Sequence, residues 1–578
     1  MSRVRSLSVV AGFVLVVALV ALLVVGRQVP ALHDREAANP TELAALDAAP
    51  LAEASRGSDW PQWLGPTRDG RAPDGPLRTD WDAKPPTLLW STPCGGGHSS
   101  FAAVGDLLVT QDYAAGVERV LGLNKGTGAV EWSVSVPVDY GSFDSNHANG
   151  PRATPSVAGG RVFAVTSDGQ LLAIDVPAKG VAATVAWRHH LVDDFSASKP
   201  TWGVSRSPLV YGDAVIVQPG AKGAMLVAYS RATGEELWRT PGDPLGYSSP
   251  TVATFGGVTQ VVAVGGAKMV GADAATGREL WSVPWATQFN GNVATPIAVD
   301  DYVFISSGYA KGCGLFRVAK SGDGFAAEAV YYRPRRVMQN HHSNCVSRGG
   351  YLYGYDADEL KCVNLRKGEV VEGWEAISQS NKPVTKGCVV LAGDKLLGLT
   401  QTGTLFVADA DPKAFKLRGE LSGVLSGTRC WSLPVLVGGR VYLRDDSKIV
   451  AYDVELTRRA KSVSDWRFWE RRPPVAHALG SPVNTHQRSQ RPSLPSLARR
   501  ADKCRLTALP APRACASAPR SSSPTRRPRG RGRRPRRRRR RSAAASRRGR
   551  PGRCNLRALA APTPAQAPSA TRACCPTA

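Results

Sequence analysis

Gly122-Leu-Asn124-Lys-Gly-Thr127-Gly128-Ala-Val-Glu-Trp132, Ala228-Tyr-Ser230-Arg-Ala-Thr233-Gly234-Glu-Glu-Leu-Trp238 and Gly271-Ala-Asp273-Ala-Ala-Thr276-Gly277-Arg-Glu-Leu-Trp281 are three copies of one pattern. A strand ends on Asn, Ser or Asp, whose side chain can hydrogen-bond the backbone of the following turn. Gly supplies the positive φ that the turn needs, and Trp offers a broad apolar plate for packing. The unit is a hairpin that feeds a further strand.

Working outward, equivalent aromatic positions fall at Trp132, Trp187, Trp238, Trp281, Tyr331 or Tyr332, and Trp374, about 42 to 55 residues apart. That is the period of a four-stranded propeller blade. A seventh unit runs through Gly393-Asp-Lys-Leu-Leu397 and Thr404-Leu-Phe-Val-Ala-Asp409. An eighth, from Pro434 to Asp453, has no Trp strand of its own. Leu88-Leu-Trp90-Ser91, ahead of the first unit, has a strand and no blade. Pairing the two closes a ring and removes two exposed sheet edges. The expectation is therefore an all-β, eight-bladed β-propeller.

These residues resemble the PQQ-like (pyrrolo-quinoline quinone) repeat family, which includes quinoprotein alcohol dehydrogenases and BamB-like assembly factors. The resemblance covers roughly residues 57 to 455. It is specific for fold, because the Thr-Gly-x-x-x-Trp unit recurs in register, and weak for function, because that unit is structural. Ser58-Asp-Trp60-Pro61-Gln-Trp63-Leu-Gly65-Pro66-Thr-Arg68-Asp69-Gly70 resembles the Trp-Pro lead-in of exported members and is expected to lie as a lid or belt on the propeller. The oxidising members hold a quinone between a Trp floor and a ring of two adjacent cysteines, beside calcium. The only adjacent cysteine pair here is Cys574-Cys575, outside any blade, so no quinone or calcium cofactor is expected and the chain reads as non-catalytic.

Charge separates the chain into parts. From Arg467 to Ala578 there are 29 Lys/Arg and 2 Asp/Glu, a net of +27, which equals the charge of the whole chain. The preceding residues are balanced, so the pI does not describe a nucleic-acid-binding fold. Between Arg526 and Arg541, 12 of 16 residues are Arg, and no core can form there. This tail either meets anionic polymers through phosphate contacts or is the product of a frameshift in a GC-rich gene. At the other end, Arg3 and Arg5 precede an apolar run from Val9 to Val25. That is a signal peptide or membrane anchor, which places the body on the extracytoplasmic side. The organisation expected is a signal or anchor at 1–27, a linker at 28–56, the lead-in at 57–87, the propeller at 88–460 and an Arg/Pro/Ala-rich tail at 461–578. Scattered cysteines without CxxC or CxxH spacing indicate no zinc site, and buried free thiols are the simplest reading.

The units can be aligned on the residue that opens each innermost strand: Phe101, Pro155, Pro208, Pro250, Pro296, Cys345, Val389 and Pro434. Three positions earlier stand His98, Arg152, Ser205, Tyr247, Val293, His342, Lys386 and Trp431. Loops leading into innermost strands gather on one face around the axis. Together with their neighbours His147, Arg206, Asn292, His341 and Arg429, the polar and aromatic members form a candidate ligand funnel for a sugar, peptide or anion. The opposing reading is a wet channel mouth that tolerates polar residues. The leading functional expectation is an exported or membrane-tethered module that binds a protein or carbohydrate partner. The alternatives are an oxidoreductase with a divergent quinone site and an anionic-polymer binder acting through the tail.

Overall fold

The computed structural model describes residues 59–73, 77–140, 150–335, 337–427 and 429–454. The expected signal or anchor, the linker, the tail and His147 lie outside these residues. Among the described residues, no helix is long and apolar enough to cross a membrane.

Eight four-stranded antiparallel sheets follow one another along the chain. Blade one holds strands Ala102–Val104, Leu107–Ala114, Val117–Asn124 and Val130–Pro137, and blades two to seven repeat this plan, ending at Leu417–Leu421. Blade eight takes three strands from the end, Val435–Val437, Arg440–Arg444 and Lys448–Asp453, and its fourth from the beginning, Thr87–Pro93. That strand pairs antiparallel with Lys448–Asp453 from Thr87↔Asp453 to Pro93↔Lys448, with a bulge between Leu88 and Trp90. The closure expected from the orphan strand is the one found.

Burial explains why the blades form a ring. Each apolar cluster joins neighbouring sheets, so no blade has a core of its own. Val109 and Trp132 of blade one pack with Val162 and Leu172 of blade two. Ile216 and Ala228 of blade three pack with Val261 and Val270 of blade four. One cluster spans blades seven, eight and one. A single blade could not bury its faces alone, which is why this architecture needs every repeat.

The recurrent Gly and Trp have a common use at these seams. The indole of Trp238 in blade three lies on the turn of blade four, where a Cβ at Gly277 (φ +72°) would come within 2.3 Å of the ring. Trp90 covers Gly128 in the same way. The indole nitrogens cap the neighbouring turn: Trp90 Nε1 donates to Lys125 O at 3.3 Å, and Trp374 Nε1 to Asp411 O at 2.9 Å. In blade five Tyr331 takes this place, its hydroxyl donating to Leu365 O at 2.8 Å, whereas Tyr332 turns to Lys311 O.

The first part of the lead-in does not lie as an outer lid or belt. Leu77 and Trp81 further on pack outside the channel, with Trp81 against Gly419 of blade seven's outer strand. Trp60 exchanges two backbone hydrogen bonds with Ala103 of blade one, Pro61 O accepts from Val157 N of blade two, and Gly70 O accepts from Leu391 N of blade seven. Arg68 donates to Ser207 O and Pro208 O beside blade three, and Arg71 to Ser347 O of blade six. Innermost strands line the axis, and so short a segment can reach this many of them only by crossing it. Residues 60–72 are thus a plug inside the central channel, with Trp60 fully buried and Leu64 2% exposed. The correction has a physical reason: the free edges of eight innermost strands need partners, and the plug supplies several.

Candidate functional site

Where the leading loops enter the innermost strands they surround a cavity of about 400 Å³. All eight positions derived from blade equivalence line it: His98, Arg152, Ser205, Tyr247, Val293, His342, Lys386 and Trp431. His341 and Arg429 line it as well. Arg206 and Asn292 do not. Arg206 is buried and gives Nη1 to Gly246 O at 2.9 Å. Asn292 Nδ2 donates to Gly265 O at 2.9 Å and Trp285 O at 3.1 Å, while its Oδ1 accepts from Ser307 Oγ. Both residues brace loops behind the wall, because a buried loop backbone needs polar partners that the neighbouring strands do not supply.

Asn344, a neighbour of the aligned His342, lines the cavity too, and Trp63, Trp202, Ser207, Ser249 and Tyr309, which the alignment did not single out, also line it. Trp63 comes from the plug, and its Nε1 donates to Thr295 Oγ1 at 3.0 Å. It gives the channel a floor and makes the funnel a blind pocket. Tyr309 projects from the hairpin after Tyr302–Ser307, where Tyr309 and Ala310 both hold positive φ, +55° and +61°. Two consecutive side-chain-bearing residues in that region are costly, and such strain concentrates where a side chain must be aimed. Lys386 sits at φ +21° in the same ring of loops.

The wall is a nearly continuous belt of rings. Tyr247 and Trp202 have centroids 5.3 Å apart, Trp202 and Tyr309 6.2 Å at an interplanar angle of 5°. Tyr309 meets His341 edge-on at 4.9 Å, and His341 and His342 lie 4.0 Å apart. His342 stacks on Trp431 at 4.0 Å and 15°, and Trp431 reaches His98 at 5.1 Å. Sequence reading located four of these seven rings in the alignment of leading loops, and His341 beside them.

The cavity's charge is one-sided. Arg152, Lys386 and Arg429 line it, and none of the lining residues is Asp or Glu. Lys386 Nζ lies 3.4 Å from Asp358, a carboxylate that is 68% exposed. Two further guanidinium groups are buried near the axis, where burial pulls Arg68 and Arg206 down to about 9, and burial lowers Arg152 too. Carboxylates stand behind these cations, Asp358 beside Lys386 and Glu118 near Arg152.

Near Arg152, Glu118 is 1% exposed, and its carboxyl accepts hydrogen bonds from Tyr140 Oη, Ser167 N and Ser167 Oγ. Burial pushes it up to about 7. The folded state therefore holds the proton more tightly than the unfolded chain, whose glutamates titrate near about 4.3. Stability contributed by the protonated form is complete at low pH and falls as pH rises from about 4 through about 7. Glu118→Gln, which is neutral throughout, should flatten the melting profile between pH 5 and 8 and melt higher than the wild type at pH 8. An unchanged slope would show that Glu118 is ionised in the fold at all these pH values.

The fold and its pocket define an eight-bladed β-propeller with a blind, aromatic-walled axial site. The chain belongs to the PQQ-like propeller family described as outer membrane protein assembly factor BamB, which matches residues 78–198, 179–373 and 356–490, more than half its length. No curated protein sequence matches it. Among solved structures it is similar to BamB from Moraxella catarrhalis, at 14% identity over 65% of this chain and 99% of that one, with a TM-score of 0.46. It is also similar to the quinohemoprotein alcohol dehydrogenase from Comamonas testosteroni, at 14% identity over 71% and 82% of the two chains, with a TM-score of 0.47.

Proposed function

We propose that this propeller is a non-catalytic binding module on the extracytoplasmic side of a membrane, secreted or tethered through residues 1–27, and that it captures a protein or carbohydrate partner in the axial pocket. The observation that carries this reading is the blind pocket itself, with a Trp63 floor and a belt of seven aromatic rings. Concave, largely apolar sites with a few convergent polar groups are the common form of ligand sites. A quinone enzyme of the related type fits the residues poorly. Calcium takes six to eight oxygen ligands with carboxylates among them, and the lining offers serine and amide oxygens without a carboxylate. Adjacent cysteines do not occur among the described residues. No redox step is assigned to the site.

Three tryptophans line the pocket, so occupancy should change the intrinsic fluorescence of the full-length protein. Titration with a panel of saccharides and peptides is expected to give a saturable change, and Trp431→Ala is expected to weaken that binding at least tenfold with the melting temperature within a few degrees of wild type. Bound quinone in the purified protein, together with alcohol-dependent dye reduction, would overturn the non-catalytic reading.

A further inference from the structure

Resting on the reading of the pocket as a ligand site, we infer that its ligand is the end of an uncharged oligosaccharide, with the terminal pyranose ring on the pocket floor and the next ring on Phe289 at the mouth. The residues immediately before the aligned opening positions link blade to blade through their side chains. Thr154 N donates to Ser207 Oγ at 2.9 Å, Ser207 N to Ser249 Oγ at 3.0 Å, and Thr295 N to Asn344 Oδ1 at 3.3 Å. Thr295 Oγ1, between Ser249 and Asn344 in this order, accepts from the Trp63 indole. Ser207 and Ser249 thus each give one lone pair to a neighbouring blade, and their hydroxyl hydrogens have no acceptor among the described residues. The bond from Thr295 N fixes which way the Asn344 amide points, and its Nδ2 has no partner among the described residues. These three residues are 2%, 4% and 3% exposed and line the cavity. Buried donors without acceptors are costly, so blades three, four and six present an unmet demand for acceptor oxygens beside the Trp63 floor.

A sugar ring answers this arrangement. Its hydroxyl oxygens stand around the rim of a ring whose C–H face is flat and apolar, so the rim meets the serines and the amide while the face covers an indole. Trp63 packs only partly against the cluster of blades seven, eight and one and lines the cavity, which leaves surface for that face. The lining cations ask for no anion. Lys386 pairs with Asp358, Arg152 Nη1 donates to Gly150 O at 2.6 Å, and the Arg429 guanidinium lies 5.8 Å from the Trp431 ring centre. A hydrocarbon ring would cover Trp63 and leave all three donors unmet. A peptide side chain would bring a single amide or hydroxyl to a floor with donors from three blades.

The mouth supplies an independent observation. Phe289 is 58% exposed and holds φ +59°, followed by Asn290 at +53°. Its ring stands edge-on to two lining rings, Trp202 at 6.0 Å and Tyr309 at 5.8 Å. An exposed aromatic ring held in a costly backbone region beside a pocket is a side chain aimed at a partner. The cavity of about 400 Å³ takes one or two pyranose rings, and Phe289 offers a platform to the ring that follows.

Calorimetric titration of the full-length protein tests the inference. Methyl glycosides and linear trisaccharides of glucose, galactose, mannose and N-acetylglucosamine are compared with glucuronate, cyclohexanol and an end-blocked Ala-Gln-Ala peptide. One sugar series is expected to bind at least tenfold more tightly than the other three probes, the trisaccharide ahead of the monosaccharide, with little change up to about 0.5 M salt. Phe289→Ala alters an exposed side chain and should keep the parent's melting temperature. It should weaken the trisaccharide about tenfold and leave the monosaccharide unchanged. Deoxy analogues of the favoured monosaccharide, titrated into the unaltered protein, should lose about fivefold at two or more hydroxyls. Asn344→Asp, which keeps the acceptor for Thr295 N, should weaken the parent sugar and spare the analogue that lacks the partner hydroxyl. Tightest binding by glucuronate, cyclohexanol or the peptide, or by peptides alone in the wider panel, would overturn the inference and leave the pocket as a ligand site. Deoxy analogues that bind as well as the parent, or an unaltered trisaccharide affinity in Phe289→Ala, would overturn it as well. Silence of every probe here and of the wider saccharide and peptide panel would remove the pocket reading and the inference together.

Discussion

Deleting residues 57–93 is expected to abolish the cooperative unfolding of the monomer. The deletion removes the plug and the strand Thr87–Pro93, which supplies the fourth strand of blade eight. With it go the cap from Trp90 Nε1 to Lys125 O and the bond from Thr92 Oγ1 to Gly128 O at 2.7 Å, which fasten blade eight to blade one. Strand Lys448–Asp453 becomes an open edge carrying Ile449, Val450 and Ala451, all at most 1% exposed in the closed ring. An exposed apolar edge invites pairing with a second chain. Total stabilities of folded domains are only about 5–15 kcal/mol, and the loss here spans a strand, a seam and the axial core. Gel filtration with light scattering should show oligomers or aggregates, and calorimetry a broad, early transition. A monomer melting at the wild-type temperature would refute closure by this strand.

The ring was legible in the sequence because its seams repeat. Gly and Trp recur where one blade's indole lies on the next blade's turn, and a feature needed eight times leaves a periodic trace even when single copies drift to Tyr331 or lose the motif. The missing eighth strand was legible for the same reason, since Leu88–Ser91 had strand character and no blade. Leading-loop positions were legible through blade equivalence, which fixes where a residue stands around the axis. What it does not fix is how far a side chain reaches inward. Arg206 and Asn292 neighbour lining positions and turn to backbone carbonyls instead. Tyr309 was missed because it belongs to a hairpin between the second and third strands, on the same face but outside the aligned loops. Trp202 was missed because it stands three residues before Ser205 in a long connection whose path no periodicity describes.

The plug was the least legible element, because nothing in a non-repeating segment states whether it lies on a propeller or inside it. Trp60→Ala is the substitution that measures it. The indole is fully buried in the cluster that joins blades seven, eight and one, and the backbone on both sides is paired with Ala103. Truncating a buried Trp or Phe to Ala costs about 3–5 kcal/mol, the lost burial plus the cavity left behind. For a folded part of this size that corresponds to a fall in melting temperature of about 5 °C. Trp63→Ala serves as the internal comparison. Its indole lines the cavity, packs only partly against the same cluster and makes one hydrogen bond, to Thr295, so its loss should cost less than that of the fully buried Trp60. It should instead remove the pocket floor and with it ligand-dependent fluorescence. The two variants, three residues apart in one segment, are thus expected to separate stability from binding. Near-identical melting of Trp60→Ala and the wild type would mean that residues 60–72 are not packed in the channel, and Trp63 could then no longer be the floor of the pocket.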